Sequence, residues 1–316
     1  MKTVFIDGQE GTTGLQILDH LTKRDDIELM EIPVEKRKDV QTKTTYLNEA
    51  DLVILCLPDP AAKESVSLID NPRTKVIDAS TAHRISEGWV YGLPERNKTQ
   101  RDEIRASHRV SNAGCYSTGF ILAVYPLIHW GIMPIDYPVT IHAVSGYSGG
   151  GKKLIHAYEH EKPSDPDSLS HRPYALGLNH KHVPEMQRWT GLSYPPVFSP
   201  AVGNFYKGML VSIPLVSRLL KKAVSAEDVQ DVLANYYENE RFVRVMPYGN
   251  EDFLENGFLS ATTCNGTNRV EFFVFGHKHQ ILLVARLDNL GKGASGAAVQ
   301  NMNIMLNIEE GKGLIV

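Results

Sequence analysis

The sequence predicts a two-domain α/β protein. The first domain has a doubly wound parallel sheet, and the second is an α+β domain on a mixed, largely antiparallel sheet. The chain has 316 residues, which is more than a single hydrophobic core usually organises. Over roughly the first 110 residues, short apolar strands alternate with helical segments, a pattern typical of parallel βαβ units. The later apolar segments are longer and partly alternate, which favours antiparallel strands.

Each early element follows from its local pattern. Apolar residues at helical spacing, with basic residues in the last turn, predict a helix at 14–24. Short apolar runs that end in glycine, proline or polar turns predict strands at 3–8, 27–33, 51–58 and 74–80. We expect the first domain to comprise residues 1–113 and 293–316, and the second to comprise residues 114–292.

The later elements are predicted in the same way. Ser225 as N-cap and acids in the first turn predict a helix at 225–240. Residues 293–306 are rich in helix formers and predict a closing helix. The polar, proline-rich segment 159–173 predicts an exposed excursion or lid. Strands are predicted at PVTIHAVS, GMLVSIPLV, FVRVM, RVEFFVF and QILLVARLD, with a hairpin turn at GHKH between the last two.

Composition and charge argue against several classes of function. The net charge is -4, and no Lys/Arg cluster is long enough to follow a nucleic-acid backbone, so we expect no nucleic-acid partner. No apolar run approaches the roughly 20 residues of a membrane span, and the N-terminal run is too short for a signal peptide. We therefore expect a cytoplasmic protein that does not bind membranes. The 3 cysteines have no paired spacing, so a disulfide framework is disfavoured.

The segment DGQEGTTG places Gly8, Gly11 and Gly14 between the first strand and the first helix. A dinucleotide pyrophosphate requires bare backbone and the positive end of a helix dipole, and glycine permits the close approach. The hydroxyls of Thr12 and Thr13 add donors. The strand–turn–helix context predicts a Rossmann-type dinucleotide site, although G-x-x-G-x-x-G spacing is also compatible with a tight turn that binds nothing.

The charge after the second strand favours NADP over NAD. An NAD-specific site places an acid near the end of this strand, and Glu31 and Glu35 are the candidates. Basic residues follow at once, with Arg37 between Lys36 and Lys38, where the 2′-phosphate of NADP would lie. The alternative is a solvated basic loop.

Cys115 lies in SNAGCYSTGF, directly before a long apolar segment that predicts a buried helix. A helix N-terminus stabilises a thiolate, and its backbone N–H groups hold an oxyanion. Asn112 and Ser117 add possible donors. We therefore expect Cys115 to be a nucleophile rather than a small buried residue. Cys56, inside the apolar run VILCL, and Cys264, in a polar turn without an obvious base, are expected to be structural.

A nucleophilic thiol needs an acid/base partner, and two H-K-H pairs compete for this role. The pair in GHKHQ lies at the predicted hairpin tip and is expected to face solvent. The pair in NHKHVPE, His180 and His182, precedes a helix start marked by Pro184 and Glu185. A histidine fixed there is well placed to be oriented as a general acid/base. Zinc sites take three or four ligands and no third is evident, so we expect no metal.

Several motifs together resemble the N-acetyl-gamma-glutamyl-phosphate reductase family in its shorter form, and they extend from the N-terminus to the closing helix. They are VFIDGQEGTTGLQI, SNAGCYSTGFILA, SGYSGGGKK, NHKHVPEM and DNLGKGASGAAVQNMNIML. The resemblance implies NADPH-dependent reduction of N-acetyl-γ-glutamyl phosphate, with release of phosphate, in arginine biosynthesis. It also implies a small-molecule acyl-phosphate substrate and a homo-oligomer, either a dimer or a tetramer.

The resemblance assigns the chemistry to matched positions. The family's N-x-G-C motif places the acyl-accepting nucleophile at Cys115, with Asn112 just before it. The family's H-x-H-x-P-E motif places the acid/base partner at His180, and His182 and Glu185 match supporting positions. The sequence leaves open whether His180 or His182 is the residue that exchanges the proton.

The resemblance also assigns contacts to substrate and cofactor. The D-x-S-x-x-x-R pattern in DASTAHR places Ser80 and Arg84 near the substrate phosphate. Asn289, in DNLGKG, is the expected contact to the nicotinamide. SGYSGGGKK matches a serine–glycine loop between cofactor and substrate, and its candidate residues are Ser145, Ser148 and Gly149.

The chain departs from the family's longer form in two ways. That form has an aromatic residue before the arginine of the DAS…R region, where this chain has AHR, and this chain is shorter between strands. Other functions stay open at this point. One is aspartate-semialdehyde dehydrogenase or another phosphorylating aldehyde dehydrogenase; the NHKHVPE element argues against the former. Another is a non-catalytic NADP sensor with an unreactive Cys115.

Overall fold

The computed structural model describes residues 1–37, 39–161, 166–221 and 224–316. The chain divides into two compact units, Met1–Gly114 with Ala294–Ile315 and Cys115–Gly293 with Val316. The strands are β1 (Lys2–Asp7), β2 (Ile27–Met30), β3 (Leu52–Leu55), β4 (Lys75–Asp78), β5 (Val90–Gly92), β6 (Arg109–Asn112), β7 (Thr140–Gly146), β8 (His171–Pro173), β9 (Val197–Gly203), β10 (Met209–Val216), β11 (Val243–Val245), β12 (Val270–Gly276) and β13 (Gln280–Leu287). The helices are α1 (Thr12–Leu21), α2 (Val40–Glu49), α3 (Asp59–Ser67), α4 (Gln100–Ala106), α5 (Cys115–His129), α6 (Gly151–His160), α7 (Val183–Thr190), α8 (Ala226–Tyr236) and α9 (Gly296–Met305).

The first unit is a parallel sheet with a hydrophobic core on each face. Its strand order is β2-β1-β3-β4-β6-β5, and the described pairings are parallel. Val4 and Ile6 pack into one core, which includes Met302 of α9. Phe5 packs into the other core with Leu47 of α2. Because successive side chains of a strand point to opposite faces, each short apolar strand contributes to both cores. The predicted doubly wound sheet is confirmed.

The strands of this sheet are shorter than predicted. β2 ends at Met30 rather than at residue 33, and the predicted strands at 51–58 and 74–80 shorten to β3 and β4. Proline at position 33 has no N–H to donate to a neighbouring strand, so β2 could not pair through the predicted end at residue 33. The prediction missed β5 and β6, which have three and four residues. A run of three or four residues is too short to show the alternation of apolar and polar residues that distinguishes a strand from a loop.

The second unit is built on a sheet of order β11-β12-β13-β10-β7-β9-β8. Two described pairings, β7–β9 and β11–β12, are parallel and the other four are antiparallel, which confirms the predicted mixed, largely antiparallel sheet. β12 and β13 form the predicted hairpin, closed by the N–H of His277, which donates to the carbonyl oxygen of Gln280 at 2.9 Å. His277 and His279 at its tip are exposed, as expected.

Helices cover one face of this second sheet. α5 is apolar around its circumference and is buried almost throughout, and it packs with α8 against β10, β12 and β13. β7 shows the difference between the two faces, since Ile141 and Ala143 are buried whereas Thr140 and His142 are exposed. In the described part of the chain, this second face carries exposed side chains.

Three predicted segments differ in their limits. α8 starts as predicted, with Ser225 and Asp228 in a capping box, but it ends at Tyr236 rather than at residue 240. The closing helix is preceded by a π-helical turn at Gly291–Ser295, so regular α-helix begins only at Gly296. The predicted excursion at 159–173 begins within α6 and ends at β8, and its residues 162–165 lie outside the described residues. No helix in the described ranges is long and apolar enough to cross a membrane.

Candidate active site

The turn between β1 and α1 requires glycine at two positions. Gly8 has φ +86°, and a Cβ there would lie 2.5 Å from the carbonyl oxygen of Cys56. A Cβ at Gly14 would lie 2.6 Å from the carbonyl oxygen of Gly8. Gly11 is less constrained, because a Cβ there would make an ordinary contact of 3.4 Å with that same oxygen. Side chains are therefore excluded at Gly8 and Gly14 but not at Gly11.

This turn brings bare backbone to the start of α1. Gly11 is the N-cap, and no side chain in the described ranges caps it. Thr12 and Thr13 begin the first helical turn, with their hydroxyl-bearing side chains partly exposed. The first N–H groups of a helix have no partner within the helix and lie at the positive end of its dipole. The glycine cradle and this helix start fit the pyrophosphate of a dinucleotide.

Arg37 lies beside the glycine turn. It directly follows a 3₁₀ turn at Val34–Lys36, and its guanidinium forms an ion pair with Glu10 inside the turn. Of the predicted basic cluster, Lys38 lies outside the described residues. The first unit therefore places an arginine–glutamate ion pair next to the predicted pyrophosphate site.

The predicted phosphate residues Ser80 and Arg84 lie in one turn after β4. This turn folds around the buried carboxylate of Asp78, which accepts the backbone N–H and the hydroxyl of Ser80, each at 2.8 Å. The Nδ1 atom of His83 lies 2.6 Å from the same carboxylate. Arg84 is buried and donates to the carbonyl oxygen of Ala79 at 3.3 Å. The structure thus adds Asp78 and His83 to a group from which the sequence selected only Ser80 and Arg84.

The side-chain amide of Asn112, at the end of β6, forms hydrogen bonds with other residues of the first unit. Its Nδ2 donates to the carbonyl oxygen of Ala294 at 2.9 Å, and its Oδ1 accepts from the side chain of Asn301 at 3.0 Å. Asn301 belongs to α9. These bonds hold the end of β6 to the closing helix.

Cys115 is the first residue of α5 and is half-buried. Gly293 packs against it so closely that a Cβ at Gly293 would lie 2.7 Å from the Cβ of Cys115. The N–H of Gly293 donates to the carbonyl oxygen of Asp288 at 3.0 Å, which holds this backbone in place. The helix N-terminus supplies backbone N–H groups and a positive dipole at the sulfur-bearing residue.

A chain of hydrogen bonds connects His180 to the residue after Cys115. The Tyr174 hydroxyl lies 3.4 Å from Nε2 of His180 and donates to the Tyr116 hydroxyl at 3.2 Å. The Nδ1 atom of His180 accepts the backbone N–H of His182 at 3.1 Å. Since Nδ1 is an acceptor here, neutral His180 carries its proton on Nε2, which faces Tyr174.

Both tyrosines of this chain stay neutral well above neutral pH. Burial raises the pKa of Tyr174 to about 12, against a lowering by the hydrogen bond with Tyr116. Burial also raises the pKa of Tyr116 well above its usual value, and the nearby Tyr174 and Cys115 add to this rise. The chain therefore consists of protonated hydroxyl groups that can donate.

His182 and Glu185 form a second, more deeply buried pair at the start of α7. The Glu185 carboxylate accepts the hydroxyl of Ser117 at 2.6 Å and lies 3.9 Å from Nε2 of His182. Both side chains are nearly inaccessible to solvent. Because Ser117 lies in the first turn of α5, this carboxylate ties α7 to the helix that begins at Cys115.

The serine–glycine segment and Asn289 lie together. Asn289 donates from Nδ2 to the hydroxyl of Ser148 at 3.0 Å, and its Oδ1 accepts the N–H of Gly208 at 2.7 Å. A Cβ at Gly149 would lie 3.4 Å from both the Nδ2 of Asn289 and the Oγ of Ser145. The second unit thus contains the sequence-predicted residues Cys115, Ser145, Ser148, Gly149, His180, His182, Glu185 and Asn289.

The other two cysteines lie in different surroundings. Burial raises the pKa of the Cys56 thiol to about 12, with smaller contributions from the charges of Asp78 and Asp7. Burial likewise raises the pKa of the Cys264 thiol to about 11. Both therefore remain thiols at neutral pH, which disfavours them as nucleophiles.

Sequence reasoning missed Tyr116, Tyr174, Gly293, Asp78 and His83. Tyr116 and His83 each adjoin a selected residue, so proximity in the sequence was a usable signal for these two. Nothing local marks Gly293, since its contact with Cys115 exists only in the fold. The arrangement has what an acyl transfer requires, namely a cysteine at a helix N-terminus, an oriented histidine and several hydroxyl donors.

Known proteins resemble this chain along nearly its whole length. Residues 3–105 match the family model of the semialdehyde dehydrogenase NAD binding domain, and residues 115–289 match that of the semialdehyde dehydrogenase dimerisation domain. A relative from Nostoc sp., named N-acetyl-gamma-glutamyl-phosphate reductase 2, is 53% identical over 98% of this chain and 98% of its own. One from Pseudomonas putida with the same name is 48% identical over 98% of both.

The chain belongs to the N-acetyl-gamma-glutamyl-phosphate reductase family. This membership confirms the resemblance found in the motifs, and the first unit is accordingly a nicotinamide-dinucleotide-binding domain. The fold extends further than this family. Aspartate semialdehyde dehydrogenase II from Vibrio cholerae matches with a TM-score of 0.74, covering 97% of this chain and 98% of that one. At 17% identity this match shows a common fold.

Proposed function

We propose that this member of the N-acetyl-gamma-glutamyl-phosphate reductase family reduces N-acetyl-γ-glutamyl phosphate to N-acetylglutamate semialdehyde, using NADPH and releasing phosphate. The observation that carries the proposal is the position of Cys115 at the first residue of α5, where the adjoining Tyr116 is hydrogen-bonded to Tyr174, whose hydroxyl lies 3.4 Å from His180. Relatives with nearly full coverage carry the name of this reductase. The reaction would serve arginine biosynthesis in the cytoplasm.

Cys115 is the nucleophile in this proposal. Its thiolate attacks the acyl carbon, a C–S bond forms, and the bond from that carbon to the phosphate oxygen breaks to give a thioester. The positive end of the α5 dipole stabilises the thiolate before the attack. Backbone N–H groups at the helix start then hold the carbonyl oxygen as it gains charge. The covalent step divides one difficult reduction into two easier reactions.

Arg84 holds the phosphate that leaves. It is the cation of the turn after β4, and it is directed by its bond to the carbonyl oxygen of Ala79. Ser80 has a different role, because its hydroxyl proton is directed at Asp78 and not outward. We therefore propose that Ser80 maintains the shape of the phosphate-binding turn, whereas Arg84 supplies the positive charge that binds the phosphate.

His180 is the acid/base residue. Its Nδ1 accepts the N–H of His182, so only Nε2 is available to exchange a proton, and Nε2 faces the hydroxyls of Tyr174 and Tyr116. After reduction, His180 shares its Nε2 proton with the oxyanion of the hemithioacetal, and the proton returns to Nε2 as the carbonyl re-forms. The C–S bond then breaks, the aldehyde leaves and the thiolate of Cys115 is restored. His182 and Glu185 hold the start of α7, and with it the position of His180.

The cofactor, when bound, supplies the hydride that reduces the thioester. Gly8, Gly11 and Gly14 with Thr12 and Thr13 would hold its pyrophosphate at the start of α1. Arg37 favours NADP because a guanidinium next to the glycine turn attracts a 2′-phosphate. Gly149 and Asn289 would meet the nicotinamide side, with Ser148 fixing the Asn289 amide.

The exposed face of the second sheet supports assembly with a second copy of the chain. Thr140 of β7 pairs in register with Val197 of β9, and Pro214 of β10 pairs with Leu282 of β13. These four side chains are exposed. The residues belong to the segment that matches the dimerisation-domain model. We infer that this face forms the contact of a homo-oligomer.

The reverse reaction tests the proposed function. Purified protein is given N-acetylglutamate semialdehyde, phosphate and either NADP or NAD, and NAD(P)H formation is followed. We expect phosphate-dependent turnover with a lower KM for NADP than for NAD. Cys115→Ser should reduce the rate at least about a thousandfold, because a serine hydroxyl is a poor nucleophile at neutral pH. Cys56→Ala, which alters a half-buried thiol of the other unit, is the control and should retain turnover.

Three results would contradict the proposal. Near wild-type turnover by Cys115→Ser would show that no thioester forms on this residue. A preference for aspartate semialdehyde as substrate would indicate that the chain is an aspartate-semialdehyde dehydrogenase instead. Binding of NADP without turnover of either aldehyde, and without labelling of Cys115 by iodoacetamide, would indicate a cofactor sensor.

A further inference from the structure

Asp78 is a buried carboxylate at the end of β4, and its environment determines the shape of the turn that follows. Its side chain is fully inaccessible to solvent. Its Oδ1 accepts the backbone N–H of Ser80, and its Oδ2 accepts the hydroxyl of Ser80. These two donors are neutral, and a buried carboxylate with neutral partners alone is costly. A third donor to the carboxylate offsets more of that cost.

His83 is that third partner. Its Nδ1 lies 2.6 Å from Oδ2 of Asp78, and since a carboxylate only accepts, Nδ1 is the donor. The other side of the ring is held as well, because the imidazole stacks on Trp89 with centroids 4.1 Å apart and planes 13° apart. The ring is buried, so both the position and the orientation of His83 are constrained.

The bond between His83 and Asp78 closes the turn from end to end. Residues 78–80 form its first half, and His83 is followed directly by Arg84. The hydroxyl of Ser80 also accepts the N–H of Ala82 at 3.1 Å, so the middle of the turn is tied to the same network. The guanidinium of Arg84 donates to the carbonyl oxygen of Ala79, the residue next to Asp78. Without His83, only the Ser80 half of the turn would remain attached to the carboxylate.

We propose that His83 is a positioning residue for the substrate phosphate, acting through Asp78 to hold Arg84 in its binding orientation. This inference rests on the proposed function, in which Arg84 binds the phosphate. His83 itself contacts Asp78 and Trp89 and does not need to touch the substrate. In this chain the residue before Arg84 is a histidine, and its Nδ1 supplies the donor to Asp78.

The test separates the hydrogen bond from the bulk of the ring. The amide nitrogen of asparagine lies one bond beyond Cγ, as Nδ1 of histidine does, whereas that of glutamine lies one bond further out. His83→Asn therefore retains a donor toward Asp78, and His83→Gln and His83→Ala do not. The reverse reaction is measured at varied phosphate for each variant. Ile85→Ala, at an exposed position beside Arg84, is the matched control.

We expect a selective effect on phosphate. His83→Ala and His83→Gln should raise the KM for phosphate roughly tenfold, with kcat and the KM for NADP changed less than about threefold. His83→Asn should restore the KM for phosphate to within about threefold of wild type, as should Ile85→Ala. A structural defect alone would lower active protein, and hence the apparent kcat, without raising the KM for one substrate.

The opposing outcomes are distinct. If wild-type protein turns over and His83→Ala leaves the KM for phosphate unchanged, the positioning role is wrong and the proposed function stands. Equal values for His83→Asn and His83→Gln would likewise exclude the route through Asp78. If His83→Ala does not fold, the comparison of the Asn and Gln variants decides the question. Absence of turnover in the wild-type protein would remove both proposals together.

Discussion

The glycine turn of the first unit and the cysteine group of the second are built in different ways. The turn lies within one short stretch of chain, and the space available at Gly14 is limited by Gly8 itself. The cysteine group draws its parts from α5, β7, α7 and the segment after β13. A local motif therefore describes most of the turn, with one distant contact between Gly8 and Cys56, whereas the cysteine group depends mainly on distant parts of the chain.

This difference determines where a mutation should act. In the turn, a wrong side chain meets backbone atoms that cannot move away, so the local conformation is lost. In the cysteine group, several contacts join residues that are remote in sequence, such as Glu185 with Ser117 and Gly293 with Cys115, so a change displaces one member relative to the others. Three substitutions test this comparison.

Gly8→Ala should have the largest effect. Alanine is unfavourable at φ +86°, and its Cβ would lie 2.5 Å from the carbonyl oxygen of Cys56, so we expect a loss of about 2 kcal/mol of stability. NADP affinity, measured by calorimetry, should fall at least about a hundredfold. Gly11→Ala is the matched control, because its Cβ has an ordinary contact, and it should lose little stability. Equal losses in the two variants would contradict the assigned geometry of the turn.

Gly293→Ala should have an intermediate effect, confined to the rate of the chemical step. Its Cβ would lie 2.7 Å from the Cβ of Cys115, so the thiol must shift, and small displacements of a nucleophile cost up to about a hundredfold in rate. We expect kcat to fall about 10- to 100-fold while NADP affinity is retained. Gly177→Ala, in the same unit with its nearest contact at 3.6 Å, provides the comparison and should behave as wild type. Loss of NADP affinity with unchanged kcat would show that Gly293 acts elsewhere.

Tyr174→Phe should have the smallest effect and reports on the hydrogen-bond chain. Removing its hydroxyl leaves His180 with one oriented contact fewer, and we expect kcat to fall roughly tenfold. Because burial raises the pKa of Tyr174 to about 12, the hydroxyl stays protonated at all lower pH values. The ratio of wild-type to variant kcat should therefore be constant from pH 6 to about pH 10.

The control for this pH series is Tyr194→Phe, which removes an exposed hydroxyl in the same unit and should leave kcat unchanged. A ratio that approaches one as the pH rises would mean that the Tyr174 hydroxyl ionises in this range. The chain from His180 to Tyr116 would then be wrong.

The sequence by itself determined the features that depend on near neighbours. Alternating short apolar runs predicted the parallel sheet, because such strands are buried on both faces. The glycine turn, the helix that begins at Cys115 and the cap at Ser225 were predicted for the same reason, since each is specified within a few residues. The motifs also indicated most of the residues gathered in the second unit.

Only the tertiary structure decided which groups meet. β5, β6 and β8 have three or four residues each and exist because a neighbouring strand pairs with them. The bond between Asp78 and His83 closes a turn whose sequence alone indicates only Ser80 and Arg84. The contact of Gly293 with Cys115 and the order of His180, Tyr174 and Tyr116 depend on how separate elements pack, and such contacts leave no periodic trace in the chain.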